Sequence, residues 1–395
     1  MLFAVTLAGV ALFHHHTLAV ALAGLAAITL YKLGFGDFAG TTGVEGLLSL
    51  LKHEWVTLAN LLGLLLGFAL LADHFERSGV PTLLPRWLPD DWKGAFVLLV
   101  LVFVISSFLD NIAAAMIGGS MAGVLFRKRV HIGYLAGIVA ASNAGGSGSV
   151  VGDTTTTMMW IDGVRPGQVF EAYVAAVTAL VIFGVFAAKQ QHKLQPIMKD
   201  DPVDAFFEAP RIAIVAIILL AAIAANVLCN LYAPAVLEQW PVIGAAVWVA
   251  ILATTPWRRP SWSLLPGALR GSIFLLSLVT CAAMMPVKAL PAASWETALG
   301  LGFLSAVFDN IPLTALALRQ GGYDWGFLAY AVGFGGSMIW FGSSAGVALC
   351  NMYPEAKSVG AWIKGGWHVA LAYVVGFFVL LAVLGWHPDA ARMQR

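Results

Sequence analysis

Long apolar stretches recur along the whole chain and are separated by short polar segments. Clear examples are residues 55–71, 168–188, 212–228 and 369–384. Each approaches the roughly 20 residues that a helix needs to cross the hydrocarbon core of a bilayer. The pattern therefore predicts a series of membrane-spanning helices. Residues 1–13 lack the basic flank and cleavage pattern of a removed signal, so we expect them to form the first of these helices.

Two further apolar stretches, residues 94–126 and 292–319, are each interrupted by an Asp-Asn pair. The pairs are Asp110-Asn111 and Asp309-Asn310. The arms on either side are too short to cross the membrane comfortably. A re-entrant helix–turn–helix with the Asp-Asn pair near its tip explains each stretch better than two spans do.

The order of elements in the first part of the chain recurs in the second. Each part has three helices, an interrupted stretch, a glycine-broken segment and a closing span. In the first part these are residues 2–13, 17–32, 54–73, 94–126, 132–160 and 168–189. In the second part they are residues 211–228, 241–255, 267–288, 292–319, 325–350 and 363–385. Gly145-Gly146-Ser147 aligns with Gly335-Gly336-Ser337, and this alignment sets Asp153 opposite Ser343.

These elements predict an all-α polytopic membrane protein built from two repeats of about five transmembrane helices. Each repeat contains one re-entrant hairpin and one broken helix, and its odd number of crossings inverts the second copy. We expect residues 1–189 to form the first repeat, residues 190–210 a cytoplasmic linker and residues 211–395 the second repeat. The distribution of lysine and arginine supports this orientation in a cell (inner or plasma) membrane.

Composition agrees with a membrane protein and excludes several classes of function. Hydrophobic residues make up 60% of the chain and charged residues 11%, and the mean hydropathy is +0.85. Soluble domains carry about a quarter charged residues. The expected partners are the lipid bilayer and a small ion, with no nucleic acid. No cofactor and no enzymatic activity are expected, because the chain lacks the nucleophile elbow, the zinc-binding helix motif and the phosphate loop.

Three of the 21 acidic residues fall at predicted membrane depth: Asp110, Asp153 and Asp309. A carboxylate at this depth costs at least a few kcal/mol unless it is paired, protonated or facing a polar cavity. We therefore predict that these three mark an ion site. A structural cap on a broken helix is the alternative reading for any one of them.

Neutral oxygen ligands accompany these acids at the predicted helix breaks. Such ligands suit a small hard cation. The candidates are Asn111, Asn143, Thr154, Thr155, Asn310, Ser343 and Ser344. Successive helical residues turn by about 100°, so Thr156 and Thr157 are expected to hydrogen-bond the backbone instead. Backbone at the breaks is assigned to Gly145, Gly146, Gly335 and Gly336, which permit close approach of the chain.

Together these motifs resemble a family, the NhaD-type sodium/proton antiporters of the ion transporter superfamily. The superfamily also contains arsenite, citrate and dicarboxylate permeases. The residues that carry the resemblance are Phe108-Leu-Asp110-Asn111, Ser142-Asn143-Ala-Gly-Gly, Gly152-Asp153-Thr-Thr-Thr-Thr-Met-Met-Trp160 and Gly335-Gly336-Ser337-Met-Ile-Trp-Phe-Gly342-Ser343-Ser344-Ala-Gly346. The sequence departs from the family pattern at Ala113 and Ala114, where hydroxyls are usual, and at Ser149-Val150-Val151, which replaces a Trp-Pro.

The resemblance implies inverted five-helix repeats, opposed hairpins and a homodimer formed through a scaffold domain. It implies roles in cation coupling for Asp110, Asn111, Asn143, Asp153, Thr154, Thr155, Asp309 and Asn310.

We therefore expect secondary active transport, with sodium(lithium)/proton antiport as the first hypothesis. In this hypothesis Asp110, Asp153 and Asp309 bind sodium transiently, and Asp153 and Asp309 are the first choice for the titrating pair that couples it to protons. An anion or oxyanion permease, with or without cation coupling, is the alternative. The predicted core holds three acids and no basic residue, which argues against a multivalent anion. A membrane enzyme or passive scaffold is the third hypothesis, and no motif supports it.

Overall fold

The computed structural model describes residues 2–13, 16–38, 41–80, 88–198, 207–285, 291–308 and 310–389. The described chain is mostly helical. Its α-helices are α1 Leu2–Leu12, α2 Thr17–Phe35, α3 Gly43–Glu76, α4 Trp92–Ser106, α5 Asn111–Leu125, α6 Ile132–Ser147, α7 Thr154–Ile161, α8 Pro166–Phe170, α9 Ala172–Leu194, α10 Ala209–Tyr232, α11 Pro234–Gln239, α12 Val242–Thr254, α13 Leu265–Ala283, α14 Trp295–Ser305, α15 Asn310–Gln320, α16 Trp325–Gly335, α17 Ser344–Met352 and α18 Val359–Leu384. Two short strands, β1 Asp37–Phe38 and β2 Thr41–Thr42, pair antiparallel, with Asp37 opposite Thr42.

Six helical segments are long and apolar enough to cross a membrane by length and composition. They are Thr17–Phe35, Gly43–Glu76, Pro166–Leu194, Ala209–Cys229, Trp262–Ala283 and Val359–Leu384. The apolar helices α4, α5, α12 and α16 are shorter. The long helices confirm the prediction of an integral, multi-pass membrane protein. Helix α3 starts at Gly43, about three turns before the predicted start at residue 54, because the polar residues of its first turns do not interrupt the helix.

The chain divides into two compact units, and each takes residues from both parts of the sequence. The first unit is Met1–His74, Ala209–Leu290 and Ala315–Arg319. In it α1 packs on α2, α2 on α13, and α10 on α12. Helices α3 and α12 approach closely at two glycines: a Cβ on Gly63 would lie 3.1 Å from the Cα of Gly244. The amide oxygen of Asn60 accepts a hydrogen bond from the Gly244 N–H at 3.0 Å, so small residues and one buried amide fix this crossing.

The second unit is Phe75–Glu208, Pro291–Thr314 and Gln320–Arg395. Helices α6 and α16 form its centre, and every residue of both except Ile132 is buried. A helix that is apolar on all sides is suited to such a position. Helix α6 packs against α4, α5, α9 and α18, and α16 packs against α14, α6, α9 and α18. Capping side chains fix where these helices begin: His131 accepts from the Gly133 N–H, and Asp324 from the Gly326 N–H.

Four pairs of consecutive helices, each of which begins in the second unit, are separated by short breaks. Helix α4 ends at Ser106 and α5 begins at Asn111, and α14 ends at Ser305 and α15 begins at Asn310. These two breaks confirm the predicted interruptions at the Asp-Asn pairs. The other two pairs are α6–α7 and α16–α17.

The break after α6 starts later than the sequence pattern predicts. Helix α6 continues through Gly145 and Gly146 to Ser147, so these two glycines lie in its last turn rather than in the break. Gly335 is likewise the last residue of α16, and Gly336 is the first residue after it. The glycines permit close backbone packing at the helix ends, which requires no interruption of the helix itself.

Candidate functional site

The candidate site lies within the second compact unit, where the beginnings of four helices meet. Three of these helices begin with a capping side chain. The Asp110 carboxylate accepts from the Ile112 N–H at 3.1 Å at the start of α5. Asp153 accepts from the Thr155 N–H at 3.4 Å at the start of α7, and Ser343 accepts from the Gly346 N–H at 3.3 Å at the start of α17. The fourth, α15, begins at Asn310.

The Asp153 carboxylate is at the centre of this cluster. The residue is only 3% exposed. Its Oδ2 accepts a short hydrogen bond from the Thr155 hydroxyl at 2.8 Å. Its other contacts are long: Asn111 Nδ2 lies 3.3 Å from Oδ1, and Asn310 Nδ2 lies 3.5 Å from Oδ2. N–H···O hydrogen bonds in proteins are usually about 2.9–3.0 Å long, so both amide contacts are long and one short hydroxyl bond leaves this buried group weakly satisfied.

Asn143 connects the two broken helices. It is fully buried on α6. Its Oδ1 accepts from Asn111 Nδ2 at 3.0 Å. Its Nδ2 donates to Ser337 Oγ at 2.9 Å and to Ser343 Oγ at 3.1 Å. One side chain thus links the start of α5 to both ends of the break between α16 and α17.

The threonines after Asp153 have two different kinds of hydrogen-bond partner. Thr155 faces the Asp153 carboxylate. The Thr156 hydroxyl donates to the backbone carbonyl oxygens of Ser149 and Asp153, and that of Thr157 to those of Val150 and Asp153. This confirms that Thr156 and Thr157 bond the backbone. Because these bonds span the break, they hold α7 against the end of α6.

Glycines bring the two ends of each break together. A Cβ on Gly146 would lie 2.8 Å from the carbonyl oxygen of Gly152, and one on Gly336 would lie 2.7 Å from that of Gly342. At the aligned Gly145 and Gly335 the neighbouring backbone lies closer still. A Cβ on Gly145 would overlap the carbonyl oxygen of Phe103 on α4, and one on Gly335 would overlap that of Gly302 on α14.

The structure joins six of the residues predicted from sequence by direct hydrogen bonds: Asn111, Asn143, Asp153, Thr155, Asn310 and Ser343. Asp110 is partly exposed beside them and bonds its own helix start. Thr154 and Ser344 are also partly exposed, each directly after a capping residue. Asp309 lies outside the described residues, so its predicted role stays a prediction.

Ser337 belongs to the cluster but was not among the predicted ligands. It is fully buried and accepts the bond from Asn143. The signal was its place directly after Gly335-Gly336, which matches the place of Ser147 after Gly145-Gly146.

Within the described ranges no lysine, arginine or histidine forms an ion pair with Asp153. The same part of the chain contains no group of three or more His, Cys, Asp and Glu side chains able to hold a metal ion. A cation beside Asp153 would meet fewer than three such side chains there, so amide, hydroxyl or backbone oxygens would supply several of its ligands. Such oxygens are the ligands that small hard cations prefer.

Comparison with known proteins identifies similar transporters. Sodium/proton antiporter 1 of Arabidopsis thaliana is 27% identical over 328 residues, which is 72% of this chain and 53% of that protein. The match thus spans about half the length of this relative. The Na⁺/H⁺ antiporter NhaD of Vibrio parahaemolyticus is 25% identical over 358 residues, which is 76% of this chain and 84% of that protein.

A second antiporter named NhaD, from Alkalimonas amylolytica, is 28% identical over 307 residues, which is 63% of this chain and 61% of that protein. No family model matches the chain. The similarity covers most of the chain in all three relatives, and each of them is named as a sodium/proton antiporter. It confirms the resemblance carried by the motifs: this chain is similar to the NhaD-type sodium/proton antiporters.

Proposed function

We propose that this protein is a sodium(lithium)/proton antiporter in which Asp153 binds either the cation or a proton. The observation that carries the proposal is the Asp153 carboxylate, which is buried, has no basic partner among the described residues and accepts one short hydrogen bond. A buried carboxylate in these surroundings needs either a proton or a cation. Because one group cannot hold both fully, the two compete and their flows are coupled.

The neighbouring amides suit such an exchange. Asn111 and Asn310 direct their Nδ2 groups towards the Asp153 carboxylate. An asparagine amide carries both a donor NH₂ and an acceptor oxygen, so turning it by half a turn offers the oxygen to a cation. Amide donors can thus support the free carboxylate, and amide oxygens can complete the shell of a bound ion. No cofactor is needed for this exchange.

We further propose that α4–α5 and α14–α15 are the two re-entrant hairpins of an inverted repeat. Helices α4 and α5 have 15 residues each, and α14 and α15 have 11 each. At 1.5 Å per residue these lengths are about 16–22 Å, less than the roughly 30 Å hydrocarbon core. The matching close contacts of Gly145 and Gly335 support the repeat. The homodimer implied by the resemblance remains a prediction.

The same helix starts support the alternative, an anion permease, less well than they support cation/proton antiport. Amide groups at a helix start attract anions. Here the capping side chains of Asp110, Asp153 and Ser343 already accept hydrogen bonds from amide groups of α5, α7 and α17. Two of the three caps are acidic, so an anion would meet negative charge.

The direct test reconstitutes the purified protein in liposomes that hold a pH gradient and a fluorescent pH dye. We expect added NaCl or LiCl, but not choline chloride, to evoke proton movement. Protein-free liposomes and KCl complete the comparison. Absence of a response to every cation would reject antiport and redirect the search to anionic or neutral cargo.

Removal of the Thr155 hydroxyl should weaken sodium binding without loss of the fold. The substitution Thr155→Val removes the short bond to Asp153, and a hydrogen bond to a charged group contributes about 1.5–3 kcal/mol. At about 1.4 kcal/mol for each factor of ten, the half-saturating Na⁺ concentration should rise at least about tenfold. Thr178→Val is the matched control, because among the described residues the Thr178 hydroxyl donates to the Val174 carbonyl of its own helix and to no site residue. An unchanged Na⁺ dependence in Thr155→Val would remove Thr155 from the site.

A further inference from the structure

The two broken helices place different residues at aligned positions. Two residues before each Gly-Gly pair stand Asn143 on α6 and Gly333 on α16, and the residues that cap the following helices are Asp153 and Ser343. Asn143 and Gly333 each face the break in the other broken helix. Asn143 bonds Ser337 and Ser343. A Cβ on Gly333 would lie 3.2 Å from the Cβ of Ser147 and 3.4 Å from Asp153 Oδ2.

We propose that these differences give the protein one cation site per chain, with Gly333 keeping the approach to Asp153 open and the Asn143 amide closing the equivalent position at Ser343. This inference rests on the proposed function. It specifies that each chain binds one cation and that Gly333 keeps that single site open.

The Asn143 amide closes the position at Ser343 through its hydrogen-bond donors as well as through its volume. The Asn143 NH₂ lies 2.9 Å from Ser337 Oγ and 3.1 Å from Ser343 Oγ, so it occupies the place between the two hydroxyl oxygens that a cation would need. It also directs N–H groups towards that place, which repels a cation. Ser343 carries no charge, so the capping residue at this position, unlike Asp153, offers a cation no carboxylate.

The position at Asp153 has the opposite character. Its carboxylate carries the charge, and Gly333 contributes no side chain to the space that Asn143 fills in the other break. An asparagine at position 333 would bring an amide NH₂ close to Asp153 Oδ2, as Asn143 does at Ser343. Gly333 therefore acts as a specificity-determining position: it excludes an internal donor and leaves the carboxylate to the ion.

The first test counts bound ions on the unaltered protein. Equilibrium binding of ²²Na⁺ to the purified chain in detergent should saturate at one ion per chain, with Li⁺ competing for it. Two ions per chain would overturn the inference while leaving antiport intact. Failure of ²²Na⁺ to bind at all, together with no Na⁺-evoked proton movement in liposomes, would reject the proposed function as well.

The second test uses three variants. Gly333→Asn should weaken ²²Na⁺ binding at least about tenfold, whereas Gly333→Ala, which adds only the Cβ, should weaken it by less than about threefold. Gly300→Asn on α14 is the control for an added amide, because a Cβ there meets nothing within 4 Å. Size-exclusion profiles and melting temperatures report whether each variant is folded. Wild-type binding in Gly333→Asn, or an equal loss in Gly333→Ala, would overturn the role assigned to position 333.

Discussion

Replacement of Asp153 by asparagine is expected to abolish Na⁺-evoked proton movement in reconstituted liposomes. The variant keeps the shape of the side chain but loses the charge that holds the cation and the group that holds the proton. Two unit charges 4 Å apart interact by about 4 kcal/mol at an effective dielectric constant of about 20. Since about 1.4 kcal/mol corresponds to a factor of ten, the rate at fixed sodium should fall by at least about 100-fold.

The matched control for this variant is Asp162→Asn. Asp162 caps the C-terminal end of the same helix, α7, and is exposed. It should retain wild-type exchange. Equal transport by the Asp153 and Asp162 variants would mean that the coupling carboxylate lies elsewhere, and the proposed site would have to be abandoned.

The second large effect is expected on folding, from substitution of Gly145 by valine. A Cβ at this position would overlap the carbonyl oxygen of Phe103 on α4, and a backbone group cannot move aside as a flexible side chain does. Overpacking a tight interior typically costs about 1–3 kcal/mol and occasionally more. We expect the upper end of this range or beyond, seen as a lower melting temperature in detergent or a loss of monodisperse protein.

Gly335→Val should have a similar effect, because a Cβ on Gly335 would overlap the carbonyl oxygen of Gly302. Gly300→Val serves as the control, since a Cβ there meets nothing within 4 Å. If Gly145→Val and Gly335→Val purified with wild-type melting temperatures, the helix ends would pack differently from the structure.

Sequence pattern predicted most helices within a few residues because their apolar length is set by the membrane. Helix α12, for example, spans Val242–Thr254 where residues 241–255 were expected. The pattern failed at α3, whose first turns carry polar residues, and at the end of α6. A glycine-rich stretch suggests a break, but Gly145 and Gly146 are helical, and their lack of side chains lets neighbouring backbone pack against them.

The site was predictable in its residue types but not in its pairings. A carboxylate at membrane depth is costly, and this cost identified Asp153, whereas Asn111 and Asn143 were identified as neutral oxygen ligands at the predicted helix breaks. Sequence could not reveal which donors meet which acceptors, because those contacts join residues far apart in the chain. Asn143, for instance, bonds Ser337, which no spacing rule connects to it.

The hydropathy pattern also did not predict the two compact units. The sequence suggested a division at residues 190–210, which remains a prediction about the repeats. Packing follows a different division, since each compact unit combines elements from both parts of the chain. Local hydropathy carries no information about which distant helices will pack together.

The order of synthesis gives the Asn310 contact a consequence for assembly. Asp153 is bonded by Asn111, which precedes it, and by Asn310, which a ribosome adds more than 150 residues later. A nascent chain that stops before α15 therefore lacks one of the groups around the carboxylate. The site is complete only after Asn310 has been made. On the proposed antiport, we therefore expect a partly synthesised molecule not to exchange ions and not to dissipate the gradients across the membrane into which it is inserted.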